Sequence, residues 1–289
     1  MSVIEVQNLI KHFGKTKAVD DISFQVEKGE IFGFLGPNGA GKTTTIRCMM
    51  DFIRPTAGHI SILGKDAQKN AVELKKRIGY LPDTVNAYDK WTGQMHIDYF
   101  RKFGGKKDII DKLIDRLNFN PTEKAKKLSS GNRRKLGLIL AFMVNPEILI
   151  LDEPTTALDP LLQNVVHELL AEASSVGITV FMSSHNLNEV ERICSRVGII
   201  KQGKMVAMES IASLKQKRMY AVHVYFNQKI EKNELLSEGV EVIKELPNGF
   251  ILNVKGDINP LLAKLKNFSL EDIEIKHASL EDIFLEFYY

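Results

Sequence analysis

The stretch GPNGAGKT, Gly36–Thr43, constrains the fold of this chain more than any other. It follows the apolar run GEIFGFLG and precedes the helix-like run KTTTIRCMMDFI, which predicts a strand, a loop and a helix in that order. Glycines at this spacing let the backbone wrap an anion, while a lysine reaches the outer phosphates and a threonine hydroxyl ligates Mg²⁺. The stretch therefore predicts a polyphosphate-binding loop. The loop and helix start comprise Gly36, Pro37, Asn38, Gly39, Ala40, Gly41, Lys42, Thr43 and Thr44.

Two further strand ends carry side chains suited to phosphate chemistry. Asp152 and Glu153 follow the apolar run ILIL, and His185 follows the apolar run ITVFMSS. A carboxylate at a buried strand end can hold Mg²⁺, and a second one beside it can act as general base toward the attacking water. Ligands gather at strand ends in α/β sheets, so we expect His185 to contact the γ-phosphate. A solvated strand end and an uncommitted histidine are the alternatives.

Strand-like and helix-like segments alternate along most of the chain. A helix at about 160–176, the strand ITVFMSS, a helix at 186–194 and the strand RVGIIKQGKM predict a mostly parallel sheet with helices around it. Residues from about 84 to 127 are rich in charged residues, and we predict that they are helical.

The texture changes after SLKQKR. YAVHVYF, VEVIKEL and GFILNVKG look like strands, with helix-like stretches at about 229–237 and 260–267, which predicts a small α+β domain over 219–289. Ser279 and Asp282 predict a capping box before a final helix.

Composition and charge limit the class of protein. The net charge of +3, from 39 basic and 36 acidic residues, is too even for a dedicated nucleic-acid binder. We interpret the basic clusters as solvated helix faces, and the two cysteines as core thiols in a reducing compartment. The basic clusters are Lys124, Lys126 and Lys127, and Arg133, Arg134 and Lys135; the cysteines are Cys48 and Cys194. The start shows no signal-peptide pattern and no apolar run approaches the roughly 20 residues of a bilayer span, which predicts a cytoplasmic or at most peripheral protein.

The stretch LSSGNRRKLGL, residues 128–138, raises a separate question. It opens a predicted helix on serines, a glycine and an asparagine, and a helix start offers unpaired N–H groups and the positive end of its dipole to an anion. The chain already has a phosphate loop, so this second anion site needs another ligand.

A family resemblance answers that question. The ordered motifs GPNGAGKT, LSSGN, ILILDEP, TALD and SSH resemble the ATP-binding-cassette (ABC) ATPases over roughly residues 2–214. The resemblance implies a P-loop NTPase domain over 1–214, with a mostly parallel sheet, an antiparallel β subdomain and a helical subdomain at about 84–140. It also implies the cofactors ATP and Mg²⁺ and a second cassette packed head to tail.

The resemblance assigns further residues by position. Ser129, Gly131 and Asn132 would cap the γ-phosphate of ATP held by the partner cassette, and Asp159 would lie at the dimer interface. Phe13 would stack on adenine, with Val19 flanking the same ring; a core phenylalanine is the alternative reading of Phe13.

The motifs also depart from the family pattern. The family's phosphate-sensing loop usually offers glutamine where IGYLPDTV places Asp83, and we expect this carboxylate to keep a Mg²⁺-binding role. In the signature, Ser130 replaces the usual glycine and Asn132 the usual glutamine. Ser130 adds a Cβ where the backbone approaches phosphate, which predicts a weaker contact across the pair.

The C-terminal run SLEDIFLEF resembles cassette subunits of bacterial and archaeal drug, bacteriocin or lipid exporters. The resemblance implies an ATP-hydrolysing motor subunit, peripheral on the inner face of the membrane, that drives a separate membrane permease docked on the helical insert at about 84–127. A weakly hydrolysing cassette paired with a competent one, and a soluble regulator, are the alternatives. No nucleic acid is expected as a partner.

Overall fold

A computed structural model describes residues 1–216 and 219–277. The chain divides after Glu209 into two compact units, whereas the sequence placed the end of the first domain at residue 214. In the part of the chain that is described, no helix is long and apolar enough to cross a membrane. The predicted capping box at Ser279 and Asp282, and the SLEDIFLEF run, lie outside the described residues.

The described residues form strands and helices that are mixed along the chain, beginning with three consecutive strands. The strands are β1 (Ser2–Phe13), β2 (Thr16–Glu27), β3 (Ile31–Leu35), β4 (Ala57–Ile62), β5 (Lys65–Asp66), β6 (Ile78–Leu81), β7 (Ile148–Asp152), β8 (Thr179–Ser184), β9 (Arg196–Lys201), β10 (Lys204–Ser210), β11 (Met219–Phe226), β12 (Val240–Leu246), β13 (Gly249–Lys255) and β14 (Leu270–His277). The α-helices are α1 (Lys42–Met49), α2 (Ala71–Lys75), α3 (Gly93–Arg101), α4 (Lys107–Arg116), α5 (Ser130–Phe142), α6 (Pro160–Ser175), α7 (Leu187–Ile193), α8 (Ile211–Gln216), α9 (Lys232–Leu235) and α10 (Asn259–Leu265). A short 3-10 helix covers Ala125–Lys127.

The first unit contains two sheets. The central one has the order β10-β9-β3-β8-β7-β6, and β9, β3, β8, β7 and β6 run parallel. Strands β3, β7 and β8 are buried along their whole length, as continuous apolar runs in a covered parallel sheet should be. The mostly parallel sheet predicted from the alternation is confirmed.

The second sheet of this unit is antiparallel, in the order β2-β1-β4-β5, and is the antiparallel β subdomain that the family resemblance implies. Its strand β2 packs onto the central sheet, because Phe24 stacks on Phe32 of β3 and on Phe181 of β8 with ring centroids 5.8 Å apart. The aromatic contact fixes the strand that leads into the phosphate loop.

Helices α3, α4 and α5 lie between β6 and β7 in the chain and form the helical insert. Helices α3 and α5 begin at side chains that cap their first N–H groups. The Thr92 hydroxyl accepts from the Met95 N–H at the start of α3, and the Ser129 hydroxyl accepts from the Asn132 N–H at the start of α5. The predicted helical segment from about residue 84 is shorter in the structure, because α3 begins only after the Thr92 cap.

The second unit, from Ser210, contains a four-stranded antiparallel sheet in the order β12-β13-β11-β14. With α9 and α10 the element order from β11 is βαββαβ, the arrangement of ferredoxin-like domains. Alternate side chains of the strands form a separate apolar core with the helices: Val222, Val224, Phe226, Leu235, Leu252, Val254, Leu261 and Leu265. The sequence predicted the α+β class of this unit and left its topology open.

Candidate active site

The phosphate loop connects the end of β3 to α1 and closes tightly against neighbouring backbone. A Cβ on Gly36 would lie 2.3 Å from the Ile200 carbonyl oxygen, and one on Gly41 would lie 2.5 Å from the Ala18 carbonyl oxygen. Gly41 also has φ 112°, a left-handed conformation that glycine adopts without strain. These close approaches explain why glycine stands at both ends of the loop.

Lys42 is buried at the start of α1 and its ammonium group turns back into the loop. Its Nζ donates to the carbonyl oxygens of Gly36 at 2.6 Å and Pro37 at 3.2 Å. It also lies 3.2 Å from Glu153 Oε1. The helix start offers further donors, because first-turn N–H groups have no intrahelical acceptor and Gly41 provides no side-chain cap. The loop can thus present both a cation and free N–H groups to a phosphate chain.

Asp152 lies fully buried at the end of β7. Burial raises the pKa of its carboxyl group, while the nearby hydroxyl groups of Ser183 and Thr43 act in the opposite direction. Ser183 Oγ donates to Oδ1 at 2.5 Å, and among the described residues Oδ2 has no hydrogen-bond partner. A buried carboxylate oxygen without a donor, next to a threonine hydroxyl, fits a cation ligand.

Glu153 occupies a strained position directly after Asp152. Its φ is 53°, in the left-handed region that non-glycine residues rarely enter, and such strain clusters at functional sites. The turn aims its carboxylate between two basic side chains: Oε1 lies 3.2 Å from Lys42 Nζ and Oε2 lies 2.8 Å from His185 Nδ1. The structure thus brings the two predicted catalytic residues, Glu153 and His185, into direct contact.

A cavity of about 270 Å³ lies over the phosphate loop. Its lining contains Ala18, Asp83 and Glu153 together with Pro37, Asn38, Gly39, Ala40, Gly41, Lys42, Thr43 and Thr44. A triphosphate fits this lining, because it combines a buried lysine, backbone donors and a strand-end carboxylate. Mg²⁺ also fits: it takes one or two carboxylates and completes its shell with phosphate oxygens and water. Within the described ranges no cluster of three or more acidic, histidine or cysteine side chains forms a ready-made metal cage.

Other predicted binding residues lie outside this lining. Ser129 is exposed, and Gly131 faces its own chain, where a Cβ would lie 2.8 Å from the Ala157 carbonyl oxygen. Asp159 caps α6 by accepting from the N–H groups of Leu161 and Leu162, both at 3.0 Å. Asn132, which is half-buried, likewise does not line the cavity.

The two residues predicted at the adenine ring differ in their surroundings. The Phe13 ring is 51% exposed, with Lys11 Nζ 4.9 Å from its centroid, so one face is available to a planar ligand. Val19 is fully buried and packs against the phosphate loop near Gly41, whereas its neighbour Ala18 lines the cavity.

Arg134 corrects the interpretation of the basic cluster in α5. The side chain is only 5% exposed, so it is not part of a solvated helix face. It donates to the carbonyl oxygens of Pro82 at 2.8 Å, Asp83 at 2.5 Å and Asp152 at 3.3 Å. Nothing in the sequence signals this burial, because basic residues flank Arg134 on both sides.

A buried polar network lies behind His185 and was also missed. The Glu189 carboxylate accepts from Thr155 Oγ1 at 2.8 Å and from Ser184 Oγ at 2.7 Å. His167 Nε2 lies 3.4 Å from the same carboxylate. From sequence alone, a glutamate near a helix start is expected to be an exposed capping residue. Only the packing of α6 against α7 shows that Glu189 is buried.

A P-loop nucleotide hydrolase is the class of protein that this fold and this site define. The family model described as ABC transporter matches residues 19–156. An uncharacterized ABC transporter ATP-binding protein of Methanocaldococcus jannaschii is 36% identical over 84% of this chain and 90% of that protein. The chain belongs to the ABC transporter family, as an ATP-binding subunit with ATPase activity.

Two other relatives and two solved structures agree with this assignment. The bacitracin transport ATP-binding protein of Bacillus licheniformis is 32% identical over 99% of this chain and 97% of that protein. The Nod factor export ATP-binding protein I of Paraburkholderia xenovorans is 31% identical, with coverages of 98% and 96%.

Among solved structures, an ATP-binding subunit of an ABC transporter gives a TM-score of 0.69 at 26% identity, covering 74% of this chain and 92% of that one. A dimeric cassette in a post-hydrolysis state, bound to ADP and Pi, gives 0.66 at 20% identity, with coverages of 72% and 98%. The predicted family and cassette fold are confirmed.

Proposed function

We propose that this ATPase is the motor subunit of an exporter, working as a head-to-tail pair of two identical copies. The observation that carries the proposal is the separation of the two predicted anion sites: the Ser129–Asn132 helix start does not line the cavity above the phosphate loop. A second copy supplies the missing phosphate. In this pair Ser129, Gly131 and Asn132 of one copy cap the γ-phosphate held by the other, and Asp159 lies at the contact.

Within each copy the phosphate loop holds the triphosphate. Lys42 exchanges its carbonyl partners for β- and γ-phosphate oxygens, and the Phe13 ring stacks on adenine, while the buried Val19 packs behind the phosphate loop. Thr43, Asp152 and Asp83 would hold Mg²⁺, which neutralises charge on the phosphates. The buried Asp152 oxygen without a donor supports this assignment.

The hydrolytic step belongs to Glu153 and His185. Glu153 accepts the proton of the attacking water, and its contact with His185 at 2.8 Å orients the carboxylate and places the imidazole beside the γ-phosphate. The His185 side chain is half exposed, so it remains accessible to the partner copy in the proposed pair. Closure of the pair excludes bulk water but retains the attacking water. Release of ADP and phosphate then reopens the pair.

A separate membrane permease forms the transporter together with this subunit and holds it at the inner face of the membrane. The helical insert supports this partner, because exposed aromatic and apolar side chains gather there: Tyr88, Met95, Tyr99, Phe100 and Phe103. An apolar patch rimmed by polar residues is typical of a protein interface. Export rests on the two relatives whose names state transport of bacitracin and export of Nod factor.

A second candidate function is a cassette that binds ATP and hydrolyses it weakly beside a competent partner. Two residues favour it: Ser130 adds a Cβ at the signature, and Asp83 adds negative charge at the cavity. The intact contact among Lys42, Glu153 and His185 favours the first candidate.

The experiment uses Glu153→Gln in the full chain, with Glu241→Gln, an exposed change in the second unit, as control. Loss of one general base lowers turnover by at least about 10²-fold, and ATP binding is retained. Light scattering with Mg-ATP then shows a mass twice that of the nucleotide-free protein. Wild-type turnover in Glu153→Gln would remove Glu153 from its role. A monomeric mass with ATP bound would exclude a pair of identical copies.

A further inference from the structure

Arg134 is the buried cation that the proposed mechanism leaves unused. It lies on α5, and its guanidinium group donates to three main-chain carbonyl oxygens, those of Pro82, Asp83 and Asp152. Among the described residues no carboxylate forms a direct ion pair with Arg134. A charged group removed from water in this way is costly unless its donors are well placed.

The three acceptors belong to two different parts of the site. Pro82 and Asp83 form the loop after β6, and Asp152 ends β7. The planar guanidinium fork suits this task, since it presents several donors in fixed directions, whereas a lysine ammonium is a point donor on a flexible stem. Nearby carboxylates of Asp83, Asp152 and Glu153 favour the cation, although burial lowers the pKa of Arg134.

The same helix carries the residues proposed to contact the partner's ATP. Ser129 caps α5, and Arg134 follows it by five residues, which corresponds to about 7.5 Å along a rigid helix. A displacement of the helix start therefore moves the guanidinium group. Movement of Arg134 either breaks its hydrogen bonds or carries the Asp83 loop and the end of β7 with it.

We propose that Arg134 is a positioning residue that connects the two composite sites of the pair. Through it, binding of ATP at the Ser129–Asn132 helix start is transmitted within the same chain to the Asp83 loop and to Asp152. The inference rests on the proposed head-to-tail pair and adds a residue outside both ATP contacts. Arg134 itself touches neither nucleotide.

The experiment compares Arg134→Met and Arg134→Lys with Arg133→Met, a matched change on the same helix. Methionine keeps apolar length without a donor, and lysine keeps the charge without the fork. Arg133 is the control because its side chain is part exposed, and its nearest acceptors are Leu128 O at 3.4 Å and Asp89 at 3.9 Å. For each protein we measure ATPase rate against ATP concentration, affinity of the monomer for a fluorescent ATP analogue, and thermal unfolding without nucleotide.

The expected result separates coupling from binding. Two coupled sites give a Hill coefficient above 1 in the wild type and in Arg133→Met. In Arg134→Met the Hill coefficient falls to about 1 and kcat falls at least about tenfold, while monomer affinity changes less than about twofold, since the phosphate loop is untouched. Arg134→Lys shows the same loss of cooperativity with a smaller loss of kcat, and it serves as the test if the methionine variant does not fold.

Other outcomes overturn the inference. Wild-type cooperativity in both Arg134 variants excludes Arg134 from coupling. A fall in kcat matched by an equal loss of ATP affinity, with the Hill coefficient unchanged, reduces Arg134 to a structural support of its own site. A wild-type Hill coefficient of 1 shows that there is no coupling to transmit. A wild-type protein that neither hydrolyses ATP nor dimerises refutes the proposed function itself, and this inference with it.

Discussion

Replacing Glu189 by leucine tests whether the network behind His185 supports the fold and the hydrolytic residues. The buried Glu189 carboxylate accepts from Thr155 at 2.8 Å and from Ser184 at 2.7 Å. Thr155 follows Glu153 by two residues, and Ser184 directly precedes His185. The carboxylate thus connects the segment after Glu153 to the residue before His185, the two residues of the proposed catalytic pair.

The expected loss of stability follows from these contacts. Two hydrogen bonds to a charged acceptor contribute about 1.5–3 kcal/mol each. Leucine fills a similar volume and removes the desolvation cost of a buried carboxylate, which offsets part of that loss. A net loss of about 2–4 kcal/mol remains. For a folding unit of this size it lowers the melting temperature by roughly 5–15 °C.

Glutamine at the same position keeps the shape of the side chain. Its amide oxygen accepts from one hydroxyl group, and its NH₂ group donates to the other once that hydroxyl rotates. The expected loss for Glu189→Gln is therefore about 1 kcal/mol. Turnover of Glu189→Leu falls because Glu153 and His185 lose their support, while Glu189→Gln retains most of it.

The assay is thermal unfolding of the nucleotide-free chain, followed by circular dichroism, together with steady-state ATPase turnover. Asn188→Leu, an exposed change on the same helix, is the control. A melting temperature of Glu189→Leu within about 2 °C of the wild type would refute the energetic argument. Equal turnover in the leucine and glutamine variants would refute the positioning argument.

Two further predictions concern the phosphate loop and the proposed cation site. In Gly36→Ala the new Cβ would lie 2.3 Å from the Ile200 carbonyl oxygen, so the loop shifts at a cost of about 1–3 kcal/mol. Calorimetric titration should show ATP binding at least about tenfold weaker than in the wild type. An unchanged affinity for ATP would contradict the close-packing argument. Asp152→Asn removes a carboxylate whose pKa burial raises, so the nucleotide-free variant should melt above the wild type near pH 7 and lose the stabilisation by Mg-ATP. In the wild type, burying the ionised carboxylate costs free energy of folding; this cost is complete above the raised pKa of the folded state and absent below the unfolded pKa of 3.8. The difference in melting temperature between the two proteins should therefore shrink as pH falls. A constant difference down to acid pH would contradict burial as the cause.

Much of the site was predictable because its signals are local. The spacing of Gly36, Gly41 and Lys42 defines the loop by itself, since positive φ, close backbone approach and helix-start donors depend on neighbouring residues. The placement of Asp152 and Glu153 at the end of β7 was predictable for a related reason: a buried apolar strand must end, and polar side chains at its end reach the edge of the sheet.

The roles of other residues depended on contacts between distant parts of the chain. The adjacent residues Arg133, Arg134 and Lys135 look alike in sequence. Only the approach of α5 to the loop after β6 buries the Arg134 side chain. Glu189 gained its role in the same way, from hydroxyl groups of β8 and of the segment after β7. The βαββαβ order of the second unit likewise required strand pairing between segments far apart in the chain.

The sequence by itself determined where the motifs of this protein lie: a phosphate loop, two adjacent carboxylates at the end of a buried strand, a histidine at the end of another, and a second polar helix start. Tertiary structure alone decided which side chains hold these groups in place. Backbone conformation and capping are set by interactions within a few residues, which the sequence displays directly. Burial of a charge such as Arg134 is set by the packing of whole elements, which no short stretch of sequence contains.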